Sequence, residues 1–163
     1  MMIARHGKAD LIHGNDHTQL PAGGTVARYH FAWPARHHAD VVEARPPRYA
    51  IFVSAVVIDE AGRGESTEAK KRREFLEPFP VLDATPEVQA LIKLYIEKGV
   101  VPPGNAEDAA HLAFASIYKM EYLCTWNFRH LANVLALRRL RQLNEKRGLF
   151  VPQVCTPEEL LGE

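Results

Sequence analysis

The sequence predicts an α/β protein in which a central, mostly parallel sheet is flanked by helices. One reason is the run 49–58, which is almost entirely apolar, as expected of a strand buried on both faces. A second reason lies further along, where residues 107–118 have helical spacing and lead directly into a short apolar strand, 122–125. Another helical segment follows that strand. Such alternation of strands and helices is typical of a parallel sheet.

Residues 1–48 do not share this organisation. Six of the eight histidines lie in this segment among scattered Gly, Ala, Arg and Pro, and no apolar period persists. A zinc-dependent hydrolase using these histidines is one hypothesis, but their spacings match no tetrahedral site and no cysteine accompanies them. We therefore expect a diverged or poorly ordered N-terminal segment over 1–48 and one folded domain over 49–163.

The middle of the chain carries the start and stop signals of two helices. Ser66 can cap the first, because its hydroxyl can accept a hydrogen bond from an otherwise unpaired backbone amide. A short strand or extended link is expected over 78–82. Thr85 and Pro86 then begin the second helix, since a capping residue followed by proline suits the first turn. Gly99 is expected to end that helix.

The last third of the chain predicts a long helix, a strand and a final short helix. Residues 130–147 form the longest helical pattern, with apolar residues on one face and arginines mainly on the rest. A basic outer face is more often solvated than bound to RNA, and both interpretations stay open. Gly148 is expected to end this helix, residues 150–154 to form the last strand, and Thr156 to cap the final helix.

Composition restricts the class of protein only weakly. Twenty basic residues balance twenty acidic ones, so no overall field marks the chain as a nucleic-acid binder. The two cysteines, Cys124 and Cys155, are expected to be buried thiols rather than a disulfide. The chain shows no signal peptide and no apolar run near eighteen residues, which favours a soluble, cytoplasmic protein without a membrane partner.

Three short motifs in the C-terminal half resemble those of one known family. They are Asp-Ala-Ala-His at 108–111, Thr-Trp-Asn at 125–127 and Cys-Thr-Pro-Glu-Glu-Leu at 155–160. Together they resemble the PIN domain, the metal-dependent ribonuclease fold of VapC-type toxins. The resemblance covers about residues 49–163 and is most specific towards the C-terminus. It implies a PIN-like three-layer fold, in which helices cover both faces of the sheet, with an irregular or incomplete N-terminal region.

The resemblance also implies a set of site residues. It assigns the second acid to Glu60, on a short helix after the strand, and the third acid to Asp108. It places Asn127 at the fourth position, and Thr125 could help to position the others by hydrogen bonding. PIN domains open with a strand that carries a first acid, which is not identifiable here. The only early candidates are Asp10 and Asp16, neither of which follows an apolar strand, while Asp40 comes too late.

These residues fit the chemistry of phosphodiester hydrolysis. Glu60, Asp108 and Asn127 offer the oxygen ligands that Mg²⁺ or Mn²⁺ prefers. The expected function is therefore a Mg²⁺- or Mn²⁺-dependent endoribonuclease that cleaves single-stranded or loop RNA, as the toxin of a toxin–antitoxin pair. An antitoxin protein and a second copy of the chain are the expected protein partners. His111 is expected to be a surface or packing histidine rather than a catalytic one.

A second hypothesis comes from a different class of function. Because the first acid is missing, the chain could keep a PIN-like fold and act as a binding or interaction module with impaired catalysis. An acid on a strand before residue 45 would favour the enzyme, and its absence would favour the module.

Overall fold

The computed structural model describes residues 2–6, 49–64, 66–125 and 133–161, with the backbone alone for 2–6 and 161. Within these residues the protein is a mixed α/β structure with one five-stranded sheet. The strands are β1 (Met2–His6), β2 (Tyr49–Ser54), β3 (Val81–Leu82), β4 (Tyr122–Cys124) and β5 (Gln153–Cys155). The helices are α1 (Ala55–Ala61), α2 (Ser66–Leu76), α3 (Pro86–Glu97), α4 (Ala106–Ile117), α5 (Val134–Arg147) and α6 (Pro157–Leu161).

The sheet has the strand order β3-β2-β1-β4-β5. The pairs β2–β3 and β4–β5 are parallel, whereas β1 is antiparallel to both β2 and β4. The four outer strands therefore run in one direction, and the central strand runs against them. Met2–His6, in the segment where no apolar period persists, forms this central strand, which the sequence analysis did not identify. Five residues of mixed polarity are too short to show a period, and their strand forms because both neighbouring strands offer backbone partners.

The strand predicted over 49–58 ends four residues early, at Ser54. Residues 55–61 are helix α1, and the Ser54 hydroxyl accepts a hydrogen bond from the backbone amide of Val57 at 3.4 Å. An uninterrupted apolar run cannot distinguish a buried strand from a buried helix by its period. The serine cap is the local signal that separates the two elements.

Two core clusters lie on opposite faces of the sheet, because successive strand residues point to opposite sides. Phe52 and Leu123 belong to the first cluster, which includes side chains from α3, α4 and α5. Val53 and Cys124, the next residue along each strand, belong to the second, which includes side chains from α1, α2 and α6. Both faces of the sheet are thus packed against helices.

Most helix boundaries follow the predicted signals. The Thr85 hydroxyl caps α3, and Pro86 is its first residue. Gly148 ends α5 in the left-handed conformation with φ of 66°. Ser66, predicted as a cap, is instead the first residue of α2. The helix predicted over 130–147 begins at Val134, directly after the capping residue Asn133; residues 126–132 lie outside the described residues. The last strand, predicted over 150–154, spans Gln153–Cys155.

A buried polar network fixes α5 against α3 and α4. The Tyr95 hydroxyl donates to the Asn144 side-chain oxygen and contacts the Ser116 hydroxyl, both at 2.9 Å. The Asn144 amide in turn donates to Ser116 at 3.0 Å and to the Phe150 carbonyl at 2.7 Å. Because buried polar groups need partners, this network fixes the position of α5 along its neighbours. Among the described helices, none has the length and apolar character needed to cross a bilayer.

Candidate functional site

Glu60 lies near the end of α1, the short helix that follows the buried strand β2. The capping serine fixes where this helix begins, and the amide of Gly62 closes its last turn. The Glu60 side chain is 31% exposed, so it lies at the edge of the packed interior and remains accessible to solvent.

Glu60 contacts a histidine of α4 directly. The distance from Glu60 Oε1 to His111 Nε2 is 3.1 Å, and the His111 side chain is only 1% exposed. The expectation that His111 is a surface or packing residue is correct in part, because the ring is buried. Its carboxylate partner lies 51 residues away along the chain, so residue spacing could not predict it. The available signal was the place of His111 in the Asp-Ala-Ala-His motif, three residues after Asp108, a spacing that puts both residues on one side of a helix.

The other ring nitrogen of His111 indicates which tautomer the structure favours. Nδ1 is buried and has no hydrogen-bond partner within the described part of the chain. A proton at Nδ1 would be a buried donor without an acceptor, so the neutral ring carries its proton on Nε2 and donates it to Glu60. This hydrogen bond lowers the pKa of the Glu60 carboxyl, although partial burial opposes the shift.

Asp108 lies in the first turn of α4, where unpaired backbone amides favour a negative charge. Its side chain is largely buried, and the residue as a whole is 8% exposed. Asn105, directly before the helix, donates its side-chain amide to Asp108 Oδ2 at 3.1 Å and makes no side-chain cap of its own. Asn105 thus orients the Asp108 carboxylate, whereas an asparagine directly before a helix would ordinarily cap it.

A second polar contact joins α1 to α4 on the exposed side of the site. The Arg63 guanidinium donates to the Glu107 carboxylate and, at 2.7 Å, to Asp59. The Asp59 side chain is exposed. Exposed ion pairs contribute little to stability, but this one lies beside Glu60 and Asp108 and links the same two helices.

The remaining predicted site residues lie on or after β4. Thr125 follows the last residue of that strand and is buried, and its backbone amide donates to the Cys155 carbonyl at 3.0 Å. Asn127, predicted at the fourth position, lies outside the described residues, as do the early acids Asp10, Asp16 and Asp40. The structure therefore describes three of the four predicted positions and joins Glu60 to Asp108's helix through His111.

The donor chemistry of these residues suits Mg²⁺, although the described set is small. Glu60 Oε1 is hydrogen-bonded to His111, and Asp108 Oδ2 is hydrogen-bonded to Asn105. The second oxygen of each carboxylate is left for a metal ion. Mg²⁺ commonly binds one or two carboxylates and keeps several waters. Within the described ranges, no group of three or more His, Cys, Asp or Glu side chains is arranged to hold a metal ion. Glu60 and Asp108 therefore each offer a carboxylate oxygen of the type that Mg²⁺ prefers.

Comparisons with known proteins add no family assignment. No protein-family model matches the chain, and searches of curated proteins and of solved structures found no significant match.

Proposed function

We propose that this protein is a PIN-type endoribonuclease that depends on Mg²⁺ or Mn²⁺ and cleaves single-stranded or loop RNA. The observation that carries the proposal is the placement of two carboxylates on adjoining helices. Glu60 on α1 is joined to α4 by its hydrogen bond with His111, one turn after Asp108. Because the two residues come from distant parts of the sequence, the fold is required to bring their helices together.

The chemistry follows from the charges of these side chains. Two carboxylates close together repel each other, and a divalent cation between them offsets that repulsion. When bound, the ion would activate a water and offset negative charge on the attacked phosphate. Glu60 and Asp108 would hold it, while His111 and Asn105 each orient one carboxylate through a hydrogen bond. Unpaired RNA fits this function because its backbone can enter an open cleft that a duplex could not.

Further support comes from the arrangement of the fold. A PIN-like three-layer architecture needs helices on both faces of a mostly parallel sheet, and apolar clusters cover both faces here. The short helix α1 also follows β2 directly and carries Glu60, as the resemblance implies. The antitoxin, and a second copy of this chain, remain the protein partners of the proposal. Sedimentation of the purified protein would test the second.

The deciding experiment is a calorimetric Mn²⁺ titration of the wild type, Asp108→Asn and a matched control, Glu145→Gln. Glu145 is an exposed carboxylate on α5. Saturable binding is expected in the wild type and the control and should be lost in Asp108→Asn. Removing a residue that only orients a metal ligand costs about 10–100-fold in affinity or activity, so losing a ligand should lower RNA cleavage by more than about 100-fold.

Folding must be measured alongside binding. Asp108→Asn should retain the circular dichroism spectrum of the wild type, because the amide keeps the size of the carboxylate. Undiminished Mn²⁺-dependent cleavage by a folded Asp108→Asn variant would contradict the assignment of Asp108.

The second candidate is a PIN-derived binding module without catalysis, and one observation favours it. Strand β1 has the sequence Met-Ile-Ala-Arg-His, so the strand at the centre of the sheet carries no carboxylate. If the wild type binds no Mn²⁺ and cleaves no RNA, this candidate is preferred. Equal retention of a single-stranded RNA by the wild type and Asp108→Asn would then identify RNA as its ligand.

A further inference from the structure

Two cysteines face each other across adjacent strands. Cys124 ends β4 and Cys155 ends β5, and the two residues are directly paired in the parallel register. Both are free and buried, as the sequence predicted, and their sulfur atoms are 3.6 Å apart. These thiols belong to none of the residues proposed to hold a metal ion.

The backbone places the two residues at a separation that a disulfide can span. Neighbouring strands lie about 4.8 Å apart, and disulfides join Cα atoms roughly 4.4–6.8 Å apart. Because a disulfide has a sulfur–sulfur bond of about 2.05 Å, the two Sγ atoms would have to approach by about 1.5 Å. Rotation of the two side chains can supply most of this movement, so the strands need not separate.

Cys155 is the thiol that borders a surface cavity. It lines a surface cavity of about 290 Å³ together with Tyr122, Glu159 and Leu160, whereas Cys124 does not line that cavity. The hydrogen bond from the Cys124 thiol lowers the pKa of Cys155, against the opposing effects of burial and of Glu159. The same hydrogen bond, together with burial, raises the pKa of Cys124. Since the thiolate is the nucleophile, both the cavity and the charge distribution make Cys155 the attacking residue.

We propose that Cys124 and Cys155 are a redox-active pair, in which a peroxide oxidises Cys155 and Cys124 then resolves it to a disulfide. The Cys155 thiol loses its proton, and the thiolate attacks one peroxide oxygen. The O–O bond breaks, and the leaving hydroxide takes up that proton to become water. Cys155 is then a sulfenic acid. The Cys124 sulfur attacks it, the S–S bond forms, the S–O bond breaks, and the leaving hydroxide takes up the Cys124 thiol proton to become the second water. The two thiols lose two electrons, and hydrogen peroxide is reduced to two waters.

The test treats the full chain with hydrogen peroxide and follows intact mass, free thiols and cross-linked peptides. The wild type should lose the mass of two hydrogen atoms and both free thiols, remain monomeric on a non-reducing gel, and recover both thiols with a phosphine reductant. In Cys124→Ser, Cys155 should stop at the sulfenic acid, which dimedone traps. In Cys155→Ser, oxidation of Cys124 should be slower by about tenfold or more, because its thiol is protonated and does not line the cavity.

Several results would overturn the proposal. One is a folded wild type that keeps both thiols under conditions that oxidise free cysteine, and another is cross-linking only between chains. Equal oxidation of Cys124 in the wild type and in Cys155→Ser would overturn the order of attack. If either serine variant fails to fold, the Cys→Ala pair replaces it. The result is independent of the proposed ribonuclease, since no metal or RNA is added.

Discussion

Helices α4 and α5 differ in how their side chains are covered. In α4 every residue from Asp108 to Ser116 is buried. In α5, which is two residues longer, only Leu140 and Asn144 are buried. The difference follows from side-chain size, because four of the nine residues from Asp108 to Ser116 are alanines and let neighbouring elements approach from every side. The buried ring of His111 in α4 lies against Glu60 of α1.

The outer face of α5 is basic and exposed. Its arginines are exposed, and one of them, Arg139, donates to the carbonyl of Gly99 at 2.8 Å, which ties α5 to the end of α3. Val134 and Leu135, in its first turn, are also exposed. The contact made by Arg139 favours the interpretation of this basic face as structural and solvated. The helix with the more obvious charge pattern thus has the fewer buried residues.

The largest loss of stability is expected when a buried side chain of α4 is made smaller. Phe114 of α4 is fully buried, and its ring stacks on that of Tyr118 with centroids 6.3 Å apart. Phe114→Ala should lower the free energy of unfolding by about 3–5 kcal/mol, because it removes buried apolar surface and leaves a cavity. Urea denaturation monitored by circular dichroism would measure the loss.

The matched control for that substitution lies on α5. Leu135 is 61% exposed, and Leu135→Ala should change the free energy of unfolding by no more than about 0.5 kcal/mol. Similar losses for Phe114→Ala and Leu135→Ala would mean that the two helices are covered to the same extent.

A smaller effect is expected from the one polar side chain that α5 buries. Asn144→Ala removes one hydrogen-bond partner from each of three groups: the Tyr95 hydroxyl, the Ser116 hydroxyl and the Phe150 carbonyl. We expect a loss of about 1–3 kcal/mol, the usual cost of leaving a buried polar group unpaired. Gln142→Ala, two residues earlier and exposed, is the control. A neutral result at Asn144 would show that packing alone holds α5 in place.

The smallest loss of stability is expected for the two asparagines that directly precede α4 and α5, and the two should differ. Asn133 accepts a hydrogen bond from the Leu135 amide at 2.9 Å and so caps α5. Asn133→Ala should therefore cost about 1 kcal/mol in thermal or urea unfolding. Asn105 makes no such cap and holds Asp108 instead. Asn105→Ala should accordingly cost less stability but weaken Mn²⁺ binding.

The two asparagine variants test each other. If Asn105→Ala destabilises the protein as much as Asn133→Ala and leaves Mn²⁺ affinity unchanged, Asn105 has a capping role only. The titration used for Asp108→Asn provides the measurement.

Much of the secondary structure could be predicted from local signals. The Thr85-Pro86 start of α3 and the Gly148 end of α5 were both identified, because caps and left-handed glycines depend on a few neighbouring residues. Strand β4 was also identified, within one residue. Each of these signals depends only on residues that are close together in the sequence.

The errors share a different cause. The boundary at Ser54 was missed because an apolar run has no period, and strand β1 was missed because its identity depends on partners far along the chain. The hydrogen bond between Glu60 and His111 is equally non-local. Residue spacing can place each side chain on an element, but the packing of α1 against α4 decides which side chains meet.

The place of β1 in the sheet has a consequence for synthesis on the ribosome. Met2–His6 leaves the ribosome before the other strands, yet its two partners are Tyr49–Ser54 and Tyr122–Cys124. One edge of β1 therefore stays unpaired until β4 has been made. Only β1 joins the β2–β3 pair to the β4–β5 pair within the sheet. An unpaired edge can pair with another chain. Nascent chains stalled before residue 122 should thus depend on chaperones more than the finished protein does.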